Sequence, residues 1–469
     1  MEKCAAMTDP CDLTATEAAA QFAKGEICAV ELCESCIAQT ERREPWVRAF
    51  AHFDPELALR QARALDKKAP QGPLHGVPFG VKDIFNTLDL PTEMGSPVWR
   101  GFTPGNDARA VAHLKWAGGV MFGKTVTAEF AVHHPGPTRN PWNPDYSPGT
   151  SSSGSAAAVA ARMVPLALGT QTAGSTIRPA SYCGVYGFKP TFGVVPRTGV
   201  LKTLDTLDHV CFLARCPEDI LLAFEAARVR GPNHPYVHKG LDGRAKQFRT
   251  KPIRVAFVKG PGWECAERYA QEAVMGLANL LGHRPEMRVA EALLPSECYQ
   301  AHDLHEAIYT KALSYYFKEE VEAHPDLISP TFLDMAERGR RVSPGAYRAG
   351  LGKQRALAKK LDDFFADYDI IVNLSTAREA PLGLDGQDVK DNCLIWTLCH
   401  APALNVPLFR APVEDAESVE ALLNYAADRL SEWEDAFLEN IGEKMNDENL
   451  VLTDREGEKL DEIWRRHMG

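Results

Sequence analysis

The 469-residue sequence has no apolar run of the roughly 18 residues that a membrane-spanning helix requires, so no membrane partner is expected. It has no basic block either. Its 52 Lys and Arg stand against 63 Asp and Glu, and a net charge of −11 argues against a primary nucleic-acid binder. The first ten residues lack the apolar core of a secretory leader, which predicts a cytoplasmic location. Twelve cysteines are scattered along the chain without a disulfide-like framework, which suits free thiols in a reducing compartment. Cys33 and Cys36 form one C-x-x-C pair near Cys28, but no second pair of zinc spacing follows. His133-His134 has no third ligand nearby, so no metal is expected. Repeats and low-complexity tracts are missing as well. What is present, 45% apolar and 25% charged residues, is the composition of an ordinary globular protein.

Length alone allows up to three domains at about 150 residues each. The alternation of strand-like and helix-like segments instead predicts one α/β domain, with a sheet covered by helices. Residues 1–70 read as a mostly helical N-terminal segment. Thr14–Arg43 forms one helix without internal proline, and breaks are expected at Pro45 and Pro55. A core follows over 71–412, and residues 413–469 form an acidic helical tail. Strands are expected at Phe79–Phe85, Val120–Phe122, Pro165–Leu168 and Tyr368–Val372, with a last core segment at Ala401–Leu408. Helices are expected at Ala108–Trp116 and Ala156–Met163, and several amphipathic ones between 265 and 365.

One motif misleads. Gly118-Gly119-Val120-Met121-Phe122-Gly123-Lys124-Thr125 fits the phosphate-loop pattern, but a helix precedes it and its variable positions are bulky and apolar, so a buried strand is the better reading. The informative stretch is Pro148-Gly149-Thr150-Ser151-Ser152-Ser153-Gly154-Ser155, at the mouth of the Ala-rich helix. It places hydroxyls beside the free N–H groups of a helix start. A second serine loop, Gly169-Thr170-Gln171-Thr172-Ala173-Gly174-Ser175-Thr176-Ile177-Arg178, lies 24 positions further on. A helix of about nine residues climbs roughly 13 Å, and a strand of about five residues returns roughly 16 Å. The two serine loops therefore come side by side. Small residues before Ser175 let backbone N–H groups approach a reacting carbonyl. Lys82, between Phe79-Gly80-Val81 and Ile84-Phe85, is the best base for these serines, because desolvation favours the neutral amine.

Together these segments resemble the amidase signature family. The resemblance runs from about Glu17 to Pro412 and is strongest between Gly76 and Pro196. Supporting matches are Gly123-Lys124-Thr125 with Glu129-Phe130-Ala131, Arg139-Asn140-Pro141-Trp142, and Gly184-Val185-Tyr186-Gly187-Phe188-Lys189-Pro190-Thr191. The resemblance implies a large mixed central sheet covered on both faces by helices. It also implies amidohydrolase activity on a linear carboxamide, with the family's Ser–cis-Ser–Lys triad carried by Ser175, Ser151 and Lys82. Ser175 would be the acylated nucleophile and Ser151 the proton relay. Backbone N–H groups of Thr172, Ala173, Gly174 and Ser175 would form the oxyanion hole. No cofactor is implied, and the partner is a small-molecule amide, with a homodimer left open. The loop His133-His134-Pro135-Gly136-Pro137-Thr138 and the run Ser175-Thr176-Ile177-Arg178-Pro179 look most like the malonamidase-like branch. Arg178 is a candidate for binding a substrate carboxylate, against a structural role in its loop. The chain departs from the family at Thr150 and Ala173, where Gly is usual, and after Leu408, where a G-L-P-V-G-type strand usually follows. Two other readings are the amidase component of a tRNA-dependent amidotransferase and a non-catalytic assembly subunit.

Overall fold

Among the described residues, ten strands form two sheets: β1 (Phe50–Phe53), β2 (Pro78–Lys82), β3 (Val120–Thr125), β4 (Leu166–Gln171), β5 (Tyr186–Lys189), β6 (His209–Ala214), β7 (Ile253–Val258), β8 (Met287–Ala292), β9 (Ile370–Val372) and β10 (Ala403–Asn405). The computed structural model describes residues 9–230, 252–384 and 390–409, together with Leu438, Lys459 and Ile463. Apart from those three residues, the expected acidic tail lies outside the described residues. The large sheet runs β1-β3-β2-β4-β6-β5-β10. β2 is parallel to both β3 and β4, and every other pairing in this sheet is antiparallel. The central strands are buried along their whole length, as expected where helices cover both faces.

Side-chain alternation sorts the core onto those two faces. Phe79, Val81, Leu166, Leu168 and Phe212 join the helices Arg109–Trp116, Pro217–Ala227 and Ala301–Tyr316 on one side. Val120, Phe122, Ala167 and Leu213 join Ala29–Val47, Pro55–Asp66 and Ser153–Ala160 on the other. The expected α/β architecture with a large mixed sheet is what forms. A second, parallel sheet of order β8-β7-β9 accompanies it, and the segment expected around 368–372 belongs there.

Two local expectations need correction. The single helix from Thr14 to Arg43 is two, Ala15–Lys24 and Ala29–Val47. Gly25 at φ 70° caps the first in the left-handed region, where a glycine costs little. Pro45 does not break the second helix, because it sits in the last turn, where the missing N–H removes a single bond. The N-terminal segment is mostly helical, and its one strand, β1, forms an edge of the large sheet. The phosphate-loop pattern is resolved as β3, whose six residues are all buried.

Candidate active site

β2 and β4 run side by side in parallel, so their C-terminal ends open onto the same edge of the sheet. Lys82 is the last residue of β2 and is 0% exposed. Its neighbour Asp83 does not neutralise it, because Asp83 pairs at 2.8 Å with Lys124, the lysine of the phosphate-loop pattern. Lys82 Nζ meets three hydroxyl oxygens instead: Ser151 at 2.6 Å, Thr170 at 3.0 Å and Ser152 at 3.1 Å. Burial pushes the Lys82 amine down to about 7, against smaller opposing effects of Cys211 and Asp208.

Ser151 and Ser152 lie just before the helix Ser153–Ala160, which packs directly beneath them. Gly154 is required there. A Cβ at this position would lie 2.3 Å from the Ala49 carbonyl oxygen and 2.3 Å from the Val126 nitrogen. The Ser151 hydroxyl also donates to the Ala131 carbonyl at 3.0 Å. That carbonyl is presented by a turn in which Phe130 (φ 48°) and Ala131 (φ 59°) both adopt the left-handed region, a strained pair for residues with side chains. Phe130 is wedged between Phe317 and Phe332, and this packing offsets the strain.

Ser175 lies in the loop between β4 and the short helix Ile177–Tyr182, and its hydroxyl has no hydrogen-bond partner among the described residues. The backbone N–H groups of Ala173, Gly174 and Ser175 likewise have none. Gln171 braces the loop from within, its side-chain oxygen accepting from the N–H groups of Thr176 at 3.0 Å and Ile177 at 2.9 Å. The Thr172 hydroxyl donates to Asp208 at 2.7 Å. Asp208 also accepts from the Thr203 hydroxyl and from the N–H groups of Thr203 and Leu204. Burial raises its carboxyl pKa, and those donors offset part of the rise.

Arg178 points its guanidinium at the protein. Nε donates to Asp391 at 2.8 Å, and the group lies so close under Gly174 that a Cβ there would sit 2.9 Å from it. A cavity of roughly 220 Å³ adjoins the cluster, walled by Ala131, Thr170, Thr172, Asp208 and the 197–205 loop.

Lys82, Ser151 and the Ser175 loop are thus gathered at one sheet edge, as the sequence predicts. Thr170 and Ser152, which also hold the lysine, lie within the two serine loops, where only their hydroxyls signal a role. Asp208, His305, Asp391 and Thr397 come from distant segments with no local motif to mark them.

The structure is thus a helix-covered mixed sheet with a buried lysine held among serine and threonine hydroxyls. The chain belongs to the amidase family, whose model, described as Amidase, matches residues 31–421. A glutamyl-tRNA(Gln) amidotransferase component from Chloroflexus aurantiacus is 39% identical over 295 residues, covering 59% of this chain and 61% of that protein. Its counterpart from Streptomyces coelicolor is 43% identical over 236 residues, covering 48% of each. The chain therefore spans less than two thirds of the length of these curated relatives. Among solved structures, 6-aminohexanoate cyclic dimer hydrolase with bound substrate is 25% identical at a TM-score of 0.74, over 86% of this chain and 91% of that one. Native peptide amidase from Stenotrophomonas maltophilia is 25% identical at a TM-score of 0.72, over 84% and 90%.

Proposed function

We propose that this chain is an amidohydrolase that cleaves a linear carboxamide to a carboxylate and ammonia or an amine. The observation that carries the reading is the 2.6 Å contact between a desolvated Lys82 amine and the Ser151 hydroxyl. Neutral Lys82 accepts the Ser151 proton, and Ser151 in turn takes the proton of Ser175. Ser175 Oγ bonds to the amide carbon, and the oxyanion is held by the backbone N–H groups of Thr172, Ala173, Gly174 and Ser175. Collapse breaks the C–N bond, and the leaving nitrogen takes its proton back through Ser151. Water then repeats the cycle on the acyl-enzyme and frees the acid. The relay requires the Ser151 hydroxyl to turn from Ala131 toward the amine, which is a single-bond rotation.

We take Arg178 as a brace of the loop, because its Nε is bonded to Asp391 and its guanidinium underlies Gly174. The names of the hydrolase and peptide amidase neighbours support a free-standing enzyme on small amides. The two loops resembling the malonamidase-like branch fit the same reading. The identity to the amidotransferase components supports a second reading, in which the amide is glutamine and the ammonia serves a tRNA-bound substrate held by partner proteins. Co-purification with such partners separates the two.

The test is a fluorophosphonate with peptide mapping by mass spectrometry. The adduct is expected on Ser175 and absent from a folded Ser175→Ala variant. Equal labelling of that variant would refute the assignment.

A further inference from the structure

Three consecutive carbonyls of the loop before Ser175 are tethered. The Thr172 carbonyl accepts from His305 Nε2 at 2.9 Å, the Ala173 carbonyl from Thr397 Oγ1 at 2.7 Å, and the Gly174 carbonyl from the Arg178 N–H at 3.0 Å. In a planar trans peptide, the carbonyl and the following N–H point in opposite directions. Each tether therefore turns the next N–H away from its peg, and those next groups are the unpartnered ones of Ala173, Gly174 and Ser175.

The third tether is an ordinary helical bond that comes with the motif. The other two come from outside it: His305 from the helix Ala301–Tyr316, and Thr397 from the helix Cys393–Leu398. Both donors are committed. Burial pushes the His305 imidazole down to about 4, so at neutral pH it is uncharged, and the Thr172 carbonyl selects the tautomer with the proton on Nε2. Thr397 Oγ1 accepts from Gln171 Nε2 at 2.9 Å, which leaves its single proton for the Ala173 carbonyl.

We infer that His305 and Thr397 are positioning residues of the oxyanion loop, holding two successive peptide planes so that the Ala173 and Gly174 N–H groups face the developing oxyanion. The inference rests on Ser175 being the nucleophile. It assigns to residues outside both serine blocks a share in transition-state stabilisation without contact with the substrate.

Two readouts test it in His305→Leu, His305→Gln, Thr397→Val and Thr397→Ser: the rate of Ser175 phosphonylation by a fluorophosphonate, and kcat and KM on whichever simple amide the wild type turns over. Melting temperatures establish that each variant is folded. Since loss of one oxyanion donor costs about 100–1000-fold, a loosened donor in the Leu and Val variants should cost about 10–100-fold in kcat with KM nearly unchanged. His305→Gln and Thr397→Ser keep a donor and should recover most of the rate. Wild-type rates in folded His305→Leu and Thr397→Val would overturn the inference while leaving Ser175 as nucleophile. If His305→Leu does not fold, Thr397→Val, which exchanges a hydroxyl for a methyl of similar size, decides alone. A wild type unlabelled at Ser175 would overturn the functional reading and this inference together.

Discussion

A protonated Lys82 has three N–H groups, and three hydroxyl oxygens stand within reach of them. A neutral amine has two N–H groups and a lone pair, so one hydroxyl has to turn its proton inward. In the proposed relay, Ser151, the nearest at 2.6 Å, is the one that turns first. As the proposed base, Lys82 works only when unprotonated, and burial has brought its pKa from 10.5 to about 7. The kcat/KM of the wild type should therefore climb about tenfold per pH unit below that value and level off above it. Lys82→Arg should be inactive at every pH, because a guanidinium keeps its proton. A pH–rate profile flat from 6 to 8, or an active Lys82→Arg, would show that the lysine is only a structural cation. Lys82, Ser151 and Ser175 were legible because each sits in a short stretch whose composition announces its chemistry. His305 was not legible: its partner is the Thr172 carbonyl, 133 positions away, and an isolated histidine in an amphipathic helix carries no sign of what it touches.

The helix Ser153–Ala160 and the loop ending at Ser175 hold the two serines, and each depends on close backbone contact. Gly154→Ala should lower stability by about 1–3 kcal/mol or more, since the added methyl meets backbone atoms that cannot swing aside. Thermal melting checks this, and an unchanged melting temperature would contradict the fit of that helix against Val126. Arg178 and Asp391 brace the other loop, with the Asp391 side chain 2% exposed. Arg178→Ala should therefore slow anionic and neutral amides alike. A loss confined to anionic amides would return Arg178 to the role of a carboxylate anchor. At this scale the sequence was legible where period and punctuation agreed, as in β2, β3 and β4. It misled at Gly25, where good helix formers on both sides hid a break. The parallel strands β7 and β8 are not marked in the sequence, because their short apolar runs adjoin long helical patterns. Nothing local to those strands says which sheet they join.

At the scale of the whole molecule, the buried base has a thermodynamic cost. The unfolded chain holds the Lys82 proton up to about pH 10.5, and the folded chain releases it near 7. Between those values the unfolded state binds more protons, so this group's contribution to stability becomes more favourable as pH rises, and below about 7 its penalty is constant. Lys82→Met removes that dependence. Its melting temperature relative to the wild type should therefore fall as pH is raised from 7 to 10. Lys189, also buried and also brought to about 7, is present in both proteins and cancels from the difference. A difference independent of pH would mean that Lys82 keeps an ordinary pKa in the fold.

The position of β2 between two parallel neighbours also has a consequence during synthesis. Residue 82 leaves the ribosome well before either neighbour exists, and the later one, β4, ends only at Gln171. Until that strand has emerged and docked, the lysine is a hydrated ammonium with no serine beside it. A nascent chain thus lacks the arrangement on which the proposed reaction rests. On the proposed mechanism, reactivity arises only once the sheet has closed, so the order of synthesis is itself a restraint.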